Sequence, residues 1–208
     1  MQIHKDIIQG TSEWHAIRAG KPTASCFEKI LSPTGKPSTQ VEGYANQLLA
    51  EIMIDGVADT WEGNMWSERG KELEPDAVLF YEMQTDIETE QVGFVTNYGV
   101  GCSPDRFVGS DGLLEIKCPS PQVHVKYLLK NKMESKYIPQ VQGQLYVTGR
   151  KWCDWMSYHP EMPPVIIRVE RDENYITSLG GALYNFLKTL EEKKQHMIEL
   201  GHLTKENY

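Results

Sequence analysis

Two carboxylates and a lysine, spaced so that a pair of strands could bring them together, lie in the middle of this chain of 208 residues. Asp105 follows a proline, whereas Glu115 and Lys117 alternate with apolar residues in the segment GLLEIK at positions 112–117. This alternation predicts a strand with its two charged residues on one face and the apolar residues between them pointing into the core. The turn residues at 109–112 predict a hairpin, which would place Asp105 beside Glu115.

Metal-assisted hydrolysis is the chemistry that such a group of residues could perform. Two carboxylates beside an ammonium group on a half-buried sheet face are costly unless a partner compensates their charge. A divalent cation is one such partner, and hard oxygen ligands select Mg²⁺ or Mn²⁺ over zinc. Two ions roughly 3.5–4 Å apart can share a bridging carboxylate, for which Asp105 is the natural candidate. Lys117 would then orient the attacking water, and Glu74 completes the candidate site.

The same residues also allow a simpler interpretation. An aspartate in a turn and a Glu–Lys pair on an exposed strand are often solvated surface, because short acidic spacings are common in proteins. From these residues alone, a site for metal-assisted hydrolysis and an ordinary charged surface both stay open.

Composition indicates a folded protein, with 40% hydrophobic and 24% charged residues. No apolar run approaches the length of a membrane span, and the first residues predict no secretory signal. The four cysteines show no CxxC spacing, which disfavours a zinc cluster or disulfide framework and predicts a reducing, cytoplasmic location. The formal net charge of −8 disfavours a tight, static DNA-binding protein but is weak evidence about a nuclease.

The order of predicted elements indicates an α/β protein. Helices are predicted at about 12–19, 23–31, 41–54, 66–83, 123–129, 140–148 and 173–200, and strands at about 92–100, 113–117, 153–158 and 165–169. This order predicts one domain over residues 1–208, with a mixed central β-sheet flanked by helices. Pro75 predicts a kink or a helix start within the fourth helical segment.

Five motifs along the chain resemble those of one enzyme family. They are WHAIRAG with TAS at 14–20 and 23–25, GKELEPDA at 70–77, CSPD with LEIKCP at 102–105 and 114–119, YIPQVQ with VT at 137–142 and 147–148, and RDE at 171–173. The third motif resembles the PD-(D/E)xK nuclease signature. Together the five resemble the phage lambda-type alkaline exonucleases, the YqaJ-like viral recombinases, from about residue 10 to residue 187.

This resemblance implies a restriction-endonuclease-like fold and a metal-dependent 5′-to-3′ exonuclease. Such an enzyme degrades one strand of linear double-stranded DNA processively to mononucleotides and leaves 3′ single-stranded overhangs for recombination by strand annealing. The resemblance further implies a homotrimeric ring around the DNA, two Mg²⁺ ions that Mn²⁺ can replace, and a single-strand annealing protein as partner. A ring traps its substrate, so processivity would need few salt-sensitive phosphate contacts.

The resemblance also implies roles for the acidic residues and their neighbours. Asp105, Glu115 and the backbone carbonyl of Ile116 would hold one metal ion, and Glu74 with Asp105 would hold the second. Lys117 would position the nucleophilic water. These five residues are the expected metal and catalytic centre.

A second set of residues is expected to hold the DNA. Gln140, and with a weaker match Gln142, would hold the nucleophilic water or the scissile phosphate. Arg18 and Ser25 would receive the 5′-terminal phosphate, because a guanidinium fork and a helix N-terminus both bind phosphate. Lys36, in a loop rich in Gly and Pro, would touch the DNA backbone or is an ordinary solvated lysine.

One departure from the family pattern concerns the residues after Cys118-Pro119. Lambda-type relatives carry a basic residue there, which is missing from this chain, and Lys126 is the candidate substitute. The tryptophans are interpreted as core or subunit contacts rather than base-stacking platforms; they are Trp14, Trp61, Trp66, Trp152 and Trp155. An endonuclease of the same fold and a non-catalytic protein that binds DNA ends are the rival functions.

Overall fold

The computed structural model describes residues 1–56 and 65–204, with side chains described from residue 69 onward in the second range. The α-helices in these ranges are α1 (Ser12–Arg18), α2 (Val41–Met53), α3 (Met65–Thr85), α4 (Pro121–Lys130), α5 (Ile138–Thr148) and α6 (Glu173–Glu199). The strands are β1 (Gln2–His4), β2 (Thr89–Gln91), β3 (Phe94–Asn97), β4 (Val100–Cys102), β5 (Arg106–Val108), β6 (Gly112–Lys117), β7 (Trp152–His159) and β8 (Met162–Glu170). Short 3-10 helices span Ala24–Lys29 and Ser135–Tyr137. None of the helices described is both long and apolar enough to cross a membrane.

A five-stranded sheet in the order β2-β5-β6-β7-β8 lies at the centre of the fold. β6 and β7 run parallel, whereas the other neighbouring pairs are antiparallel. The connection between the two parallel strands contains α4 and α5, as a crossover of this kind requires. The predicted α/β class with a mixed central sheet flanked by helices is confirmed.

The strand predicted at 92–100 is wrong in its extent. The chain reverses at Tyr98 and Gly99, which have φ angles of 53° and 78°, so that β3 and β4 pair as a hairpin. With β1 they form a separate three-stranded sheet in the order β1-β3-β4. Two consecutive residues with positive φ form a tight reversal. Buried apolar residues lie before and after the reversal, which gave the segment the appearance of one strand; they are Val92, Phe94, Val95 and Val100.

The hairpin predicted around Asp105 and Glu115 is confirmed. β5 and β6 pair antiparallel with Arg106 opposite Leu114, and the same register continued by one residue sets Asp105 across from Glu115. The backbone N–H of Ile116 donates a hydrogen bond to Oδ2 of Asp105 at 2.5 Å. Local turn geometry therefore brings the two carboxylates together.

β6 is buried on both faces, not on one as predicted. Leu113 belongs to the larger core cluster, which includes residues of α5 and α6, whereas Leu114 and Ile116 belong to a second cluster with residues of α3. Glu115 lies on the same face as Leu113 and is only 2% exposed. A central strand covered on both faces buries its polar residues as well, and alternation along one strand does not reveal that cover.

α3, which carries the acidic residue Glu74, covers the face of β6 that holds Leu114 and Ile116. The helix passes through Pro75 without ending, so of the two alternatives predicted there, a kink or a helix start, the helix start is wrong. Its buried residues Ala77 and Tyr81 pack toward the sheet, and the hydroxyl of Tyr81 donates a hydrogen bond to the buried Asp154 at 2.7 Å. This packing fixes the position of Glu74 one turn earlier on the helix.

Gly143 allows α5 to lie close against the 3-10 helix Ala24–Lys29. A Cβ at this position would lie 2.4 Å from the Phe27 ring and 3.2 Å from Cβ of Ala24. The close contact places Ser25, on the 3-10 helix, and Gln140, on α5, in the lining of one cavity.

We expect Gly143→Ala to destabilise the protein by about 1–3 kcal/mol, because overpacking forces the two helices apart. Gly181→Ala in α6 is the matched control, since nothing lies within 4 Å of a Cβ added there. That substitution should stabilise the protein by about 0.5–1 kcal/mol, because alanine restricts the unfolded chain more than glycine does. Denaturant unfolding measures both effects, and equal stability of the two variants would contradict the assigned packing.

Candidate active site

One cavity of about 200 Å³ brings together residues from both sets predicted from the sequence. Elements distant in the sequence supply them: α1, the 3-10 helix Ala24–Lys29, the segment before β5, then β6 and α5. The predicted site residues in its lining are Arg18, Ser25, Asp105, Glu115, Lys117 and Gln140. The cavity therefore joins the expected catalytic centre to the expected phosphate pocket.

Glu115 is the most heavily hydrogen-bonded carboxylate of the site. Its Oε1 accepts hydrogen bonds from Nζ of Lys117 at 2.5 Å and from Nε2 of Gln140 at 2.6 Å. Its Oε2 accepts a hydrogen bond from Nε2 of Gln144 at 2.6 Å. A carboxylate that is 2% exposed needs such donors, because water cannot solvate it.

Asp105 lies across the hairpin from Glu115, close to other carboxylates. Burial raises the pKa of Asp105 well above its usual range, and the negative charges of Glu115 and Glu74 raise it further, while Lys117 opposes the shift. Burial also raises the pKa of Glu74, with Arg106 opposing and Glu115 adding to the shift. The three carboxylates therefore interact electrostatically, although Glu74 is not in the cavity lining.

Lys117 supplies the positive charge beside these carboxylates. Burial lowers the pKa of Lys117, but the neighbouring Glu115 and Asp105 outweigh that effect and raise it above its usual value. Its Nζ also lies 5.5 Å from the ring centre of Tyr137. The ammonium group is thus held charged at the cavity, where it can donate a hydrogen bond to a water or a phosphate oxygen.

The residues present fit Mg²⁺ by the chemistry of their donors. Three carboxylates offer hard oxygen ligands, and the charges of Glu115 and Glu74 add to the burial that raises the pKa of Asp105. No three acidic, His or Cys side chains of the described residues already converge on one point for an ion. Both oxygens of Glu115 are engaged by donors, so ion binding would require Lys117 to shift away from Oε1.

Arg18 presents a desolvated guanidinium to the same cavity. Its Nη2 donates hydrogen bonds to Oγ1 of Thr23 at 3.3 Å and Oγ of Ser25 at 3.2 Å. Burial lowers the pKa of Arg18 relative to that of a free arginine. Within the described ranges no carboxylate forms an ion pair with it, which leaves this cation available to an incoming anion.

Trp14 was interpreted as a core residue, but it is half-buried and lines the cavity. The guanidinium of Arg18 stacks over its ring at 4.0 Å, and its Nε1 donates a hydrogen bond to Oγ of Ser103 at 2.8 Å. Trp14 therefore holds Arg18 in place. Trp155 is fully buried, which confirms its assignment to the core, and Trp152 is half-buried under Arg168.

Trp61 lies outside the described residues, and the side chain of Trp66 does as well.

Two residues of the set expected to hold the DNA lie away from the cavity. Gln142 is buried, donates a hydrogen bond to the carbonyl of Glu170 at 2.8 Å and accepts one from the N–H of Asp172 at 3.0 Å. It joins α5 to the end of β8. Lys36 is exposed in the loop between the 3-10 helix Ala24–Lys29 and α2, and it does not line the cavity.

The candidate substitute for the missing basic residue is also engaged elsewhere. Lys126 forms an ion pair with Glu134, outside the cavity lining. Arg69 of α3 donates hydrogen bonds to the carbonyls of Cys118 and Pro119, so a cation does lie beside this stretch of chain.

Gln144 is a site residue that the motif comparison missed. It is 1% exposed and lines the cavity, with its amide on Glu115. Helix periodicity contained the signal, because residues four apart share a face whereas residues two apart lie roughly 200° apart. Gln140 and Gln144 therefore face the cavity together, and Gln142 faces away.

Comparison with known proteins identifies the family to which this chain belongs. Residues 13–151 match the model of the YqaJ-like viral recombinase domain. The crystal structure of the alkaline exonuclease LHK-Exo from Laribacter hongkongensis is 33% identical, with a TM-score of 0.82 over 92% of this chain and 98% of that one. The structure of LHK-Exo in complex with dAMP gives 32% identity and a TM-score of 0.82 over 93% of this chain and 100% of that one.

A more distant structure shows the fold alone. A phage-related exonuclease from Haemophilus somnus 129PT is 15% identical, with a TM-score of 0.69 over 85% of this chain and 96% of that one. A comparison with curated proteins finds no match. The helix-flanked mixed sheet is thus the restriction-endonuclease-like fold of phage-type exonucleases. With its family motifs in order and its site residues gathered in one cavity, this chain belongs to the YqaJ-like viral recombinases, as a lambda-type alkaline exonuclease.

Proposed function

We propose that this nuclease is a Mg²⁺-dependent exonuclease that digests one strand of linear double-stranded DNA from its 5′ end. The observation that carries the proposal is the shared cavity, in which the guanidinium of Arg18 opens into the same space as Asp105, Glu115 and Lys117. A site for a terminal phosphate next to a site for hydrolysis is what distinguishes an exonuclease from an enzyme that cuts internally.

End recognition would depend on Arg18 and Ser25. The stacked guanidinium presents its N–H donors to the cavity, and the exposed hydroxyl of Ser25 lies 3.2 Å from it. A 5′-phosphate bound there leaves the first phosphodiester beside the acidic residues. Each cut would then release one mononucleotide, and the shortened strand would present a new 5′-phosphate to the same residues.

Hydrolysis would use the residues around Glu115. Asp105, Glu115 and the carbonyl of Ile116 would hold one Mg²⁺, and Glu74 with Asp105 a second, with Mn²⁺ as a substitute. Bound ions of this kind supply a water of lowered pKa and neutralise charge on the phosphate. Lys117 would donate a hydrogen bond to the attacking water and offset the charge that develops on phosphorus.

Gln140 would share the task of positioning the reacting groups. Its amide already lies 2.6 Å from Oε1 of Glu115. The same amide can hold the water or the scissile phosphate once Lys117 and Glu115 separate. Its placement on Glu115, in the same cavity lining as Lys117, would let it help to position the nucleophile.

The biological setting that we propose is recombination by strand annealing. A homotrimeric ring would trap the duplex and make digestion processive, and the 3′ overhang would be passed to a single-strand annealing protein. The net charge of −8 agrees with a trapped substrate rather than a tightly bound one. Such a reaction belongs in the cytoplasm of a bacterium or a phage-infected host.

Digestion of linear duplexes with 5′-phosphate or 5′-hydroxyl ends tests metal dependence, polarity and end recognition together. We expect nucleotide release from 5′-phosphorylated ends with Mg²⁺ and none after chelation with EDTA, because the carboxylates need the ions to activate water. Restoring Mg²⁺ or Mn²⁺ should restore the rate. Digestion that continues in EDTA would refute the metal-dependent mechanism.

Covalently closed circular duplex separates the rival functions. An exonuclease should leave it intact, whereas an endonuclease of the same fold should cut it. A wild-type protein that releases no nucleotides from linear duplex with Mg²⁺, but binds its ends, would establish a non-catalytic end-binding protein instead.

A further inference from the structure

We propose that Gln144 is a positioning residue that locks the carboxylate of Glu115 in the orientation needed to bind a metal ion. The proposal rests on the function proposed above and concerns a residue outside the family motifs recognised in the sequence. Gln144 lies on α5, is 1% exposed and lines the cavity.

Gln140 and Gln144 hold the two oxygens of Glu115 separately. Nε2 of Gln140 lies 2.6 Å from Oε1, and Nε2 of Gln144 lies 2.6 Å from Oε2. The two glutamines are four residues apart on one helix, so they approach the carboxylate from the same face of α5. With both oxygens held, the carboxylate cannot rotate about its terminal bond, and Oε1 stays directed toward Lys117.

The amide of Gln144 uses its NH₂ group to bind Glu115 and leaves its oxygen without a hydrogen-bond partner in the described structure. A carboxylate only accepts hydrogen bonds, so the NH₂ group of Gln144 must face Glu115. Its Oε1 is then buried with no hydrogen-bond partner in the described structure. A buried acceptor without a partner is unfavourable. An apolar side chain would avoid that cost, which indicates that the donor to Glu115 is what position 144 provides.

A neutral donor also preserves the charge that an ion requires. A lysine or arginine at position 144 would neutralise Glu115 permanently and compete with a cation. The amide orients the carboxylate and leaves its negative charge in place. Groups that orient a ligating side chain in this way typically contribute 10–100-fold to metal affinity or activity.

Gln142 provides a matched control from the same helix. It is 3% exposed, close to the 1% of Gln144, but both halves of its amide are used, on Glu170 and Asp172. Replacing either glutamine with methionine keeps the length of the side chain and removes its hydrogen bonds. The two variants therefore differ in whether Glu115 loses a donor.

Calorimetric titration with Mn²⁺, in the absence of DNA, tests the proposal directly. We expect Gln144→Met to weaken Mn²⁺ binding by roughly 10–100-fold, and Gln142→Met to leave it within about twofold while lowering the melting temperature. On linear duplex, Gln144→Met should lower kcat with little change in the KM for DNA. Excess Mg²⁺ should restore part of the loss, which a merely structural role would not allow.

A second variant tests whether methionine at position 144 lowers Mn²⁺ affinity by disturbing the fold. Gln144→Asn keeps the amide but is one methylene too short to reach Glu115, so it should weaken Mn²⁺ binding in the same way. Wild-type affinity for Mn²⁺ in both variants would overturn the proposal, as would an equal loss of affinity in Gln142→Met. A wild-type protein that binds Mn²⁺ but digests no duplex would overturn the proposed function, while the comparison of variants would still decide the role of Gln144.

Discussion

Lys117→Ala should abolish nucleotide release while the protein still binds the ends of duplex DNA. Lys117 is the cation that the structure places on Glu115, and Glu115 and Asp105 raise its pKa so that it stays charged. In the proposed mechanism, its loss would remove the hydrogen bond to the attacking water and the positive charge that offsets negative charge developing on the phosphate. We expect a fall in kcat of roughly 10³-fold, within the range for a positioned acid–base group. Release of acid-soluble nucleotides from linear duplex measures the rate, and anisotropy of a labelled duplex measures binding.

Lys151→Ala is the control for this experiment. Lys151 also forms an ion pair, with Asp111 at 2.8 Å, but its side chain is 71% exposed and does not line the cavity. An exposed pair contributes little to stability, so this variant should keep the wild-type rate. The role assigned to Lys117 requires a fall in kcat within the expected range. If Lys117→Ala retains more than about a tenth of the wild-type kcat, that role is wrong.

Arg18→Lys should remove the preference for phosphorylated ends. Lysine keeps the positive charge but loses the planar fork that stacks on Trp14 and can bind a phosphate through two N–H groups. We expect kcat/KM on 5′-phosphorylated duplex to fall roughly 10²-fold, as for loss of one charge-assisted pair. On 5′-hydroxyl duplex the rate of the first cut should change little, because no terminal phosphate is present until that cut exposes one. The ratio of the two rates is the measurement.

Arg150→Lys is the matched control, because Arg150 is another arginine stacked on an aromatic ring. It lies 3.9 Å from the ring centre of Phe107 and bonds to the carbonyls of Gly109 and Gly112, away from the cavity. Its replacement should leave the ratio of rates unchanged. Equal losses on both kinds of end in Arg18→Lys would instead assign Arg18 to general DNA binding.

The acidic pair could be predicted because its geometry is local. Asp105 and Glu115 are joined by a short turn, so their spacing and the turn residues alone place them opposite each other, as the register of β5 and β6 confirms. The motif around Arg18 likewise predicted a residue that the structure brings into the same cavity. Residue type and short-range spacing carry this kind of information.

Residues placed by packing were harder to predict. The motif indicates Gln142 only as a weaker candidate beside Gln140 and does not include Gln144, because the face of α5 that meets the sheet depends on its packing. Gly143 decides that packing through its contact with Phe27. The large aromatic side chain of Trp14 suggests a core residue, and only its stacking on Arg18 reveals its place at the cavity.

The sequence by itself determined the family, the mixed α/β class and the identity of the charged residues that could perform hydrolysis. These depend on motif order and on contacts across a single turn. The tertiary structure alone decided that Glu115 is buried on a doubly covered strand, and that Arg18 opens into the same cavity. The physical reason is that burial and convergence arise from contacts between elements distant along the chain, which no local pattern encodes.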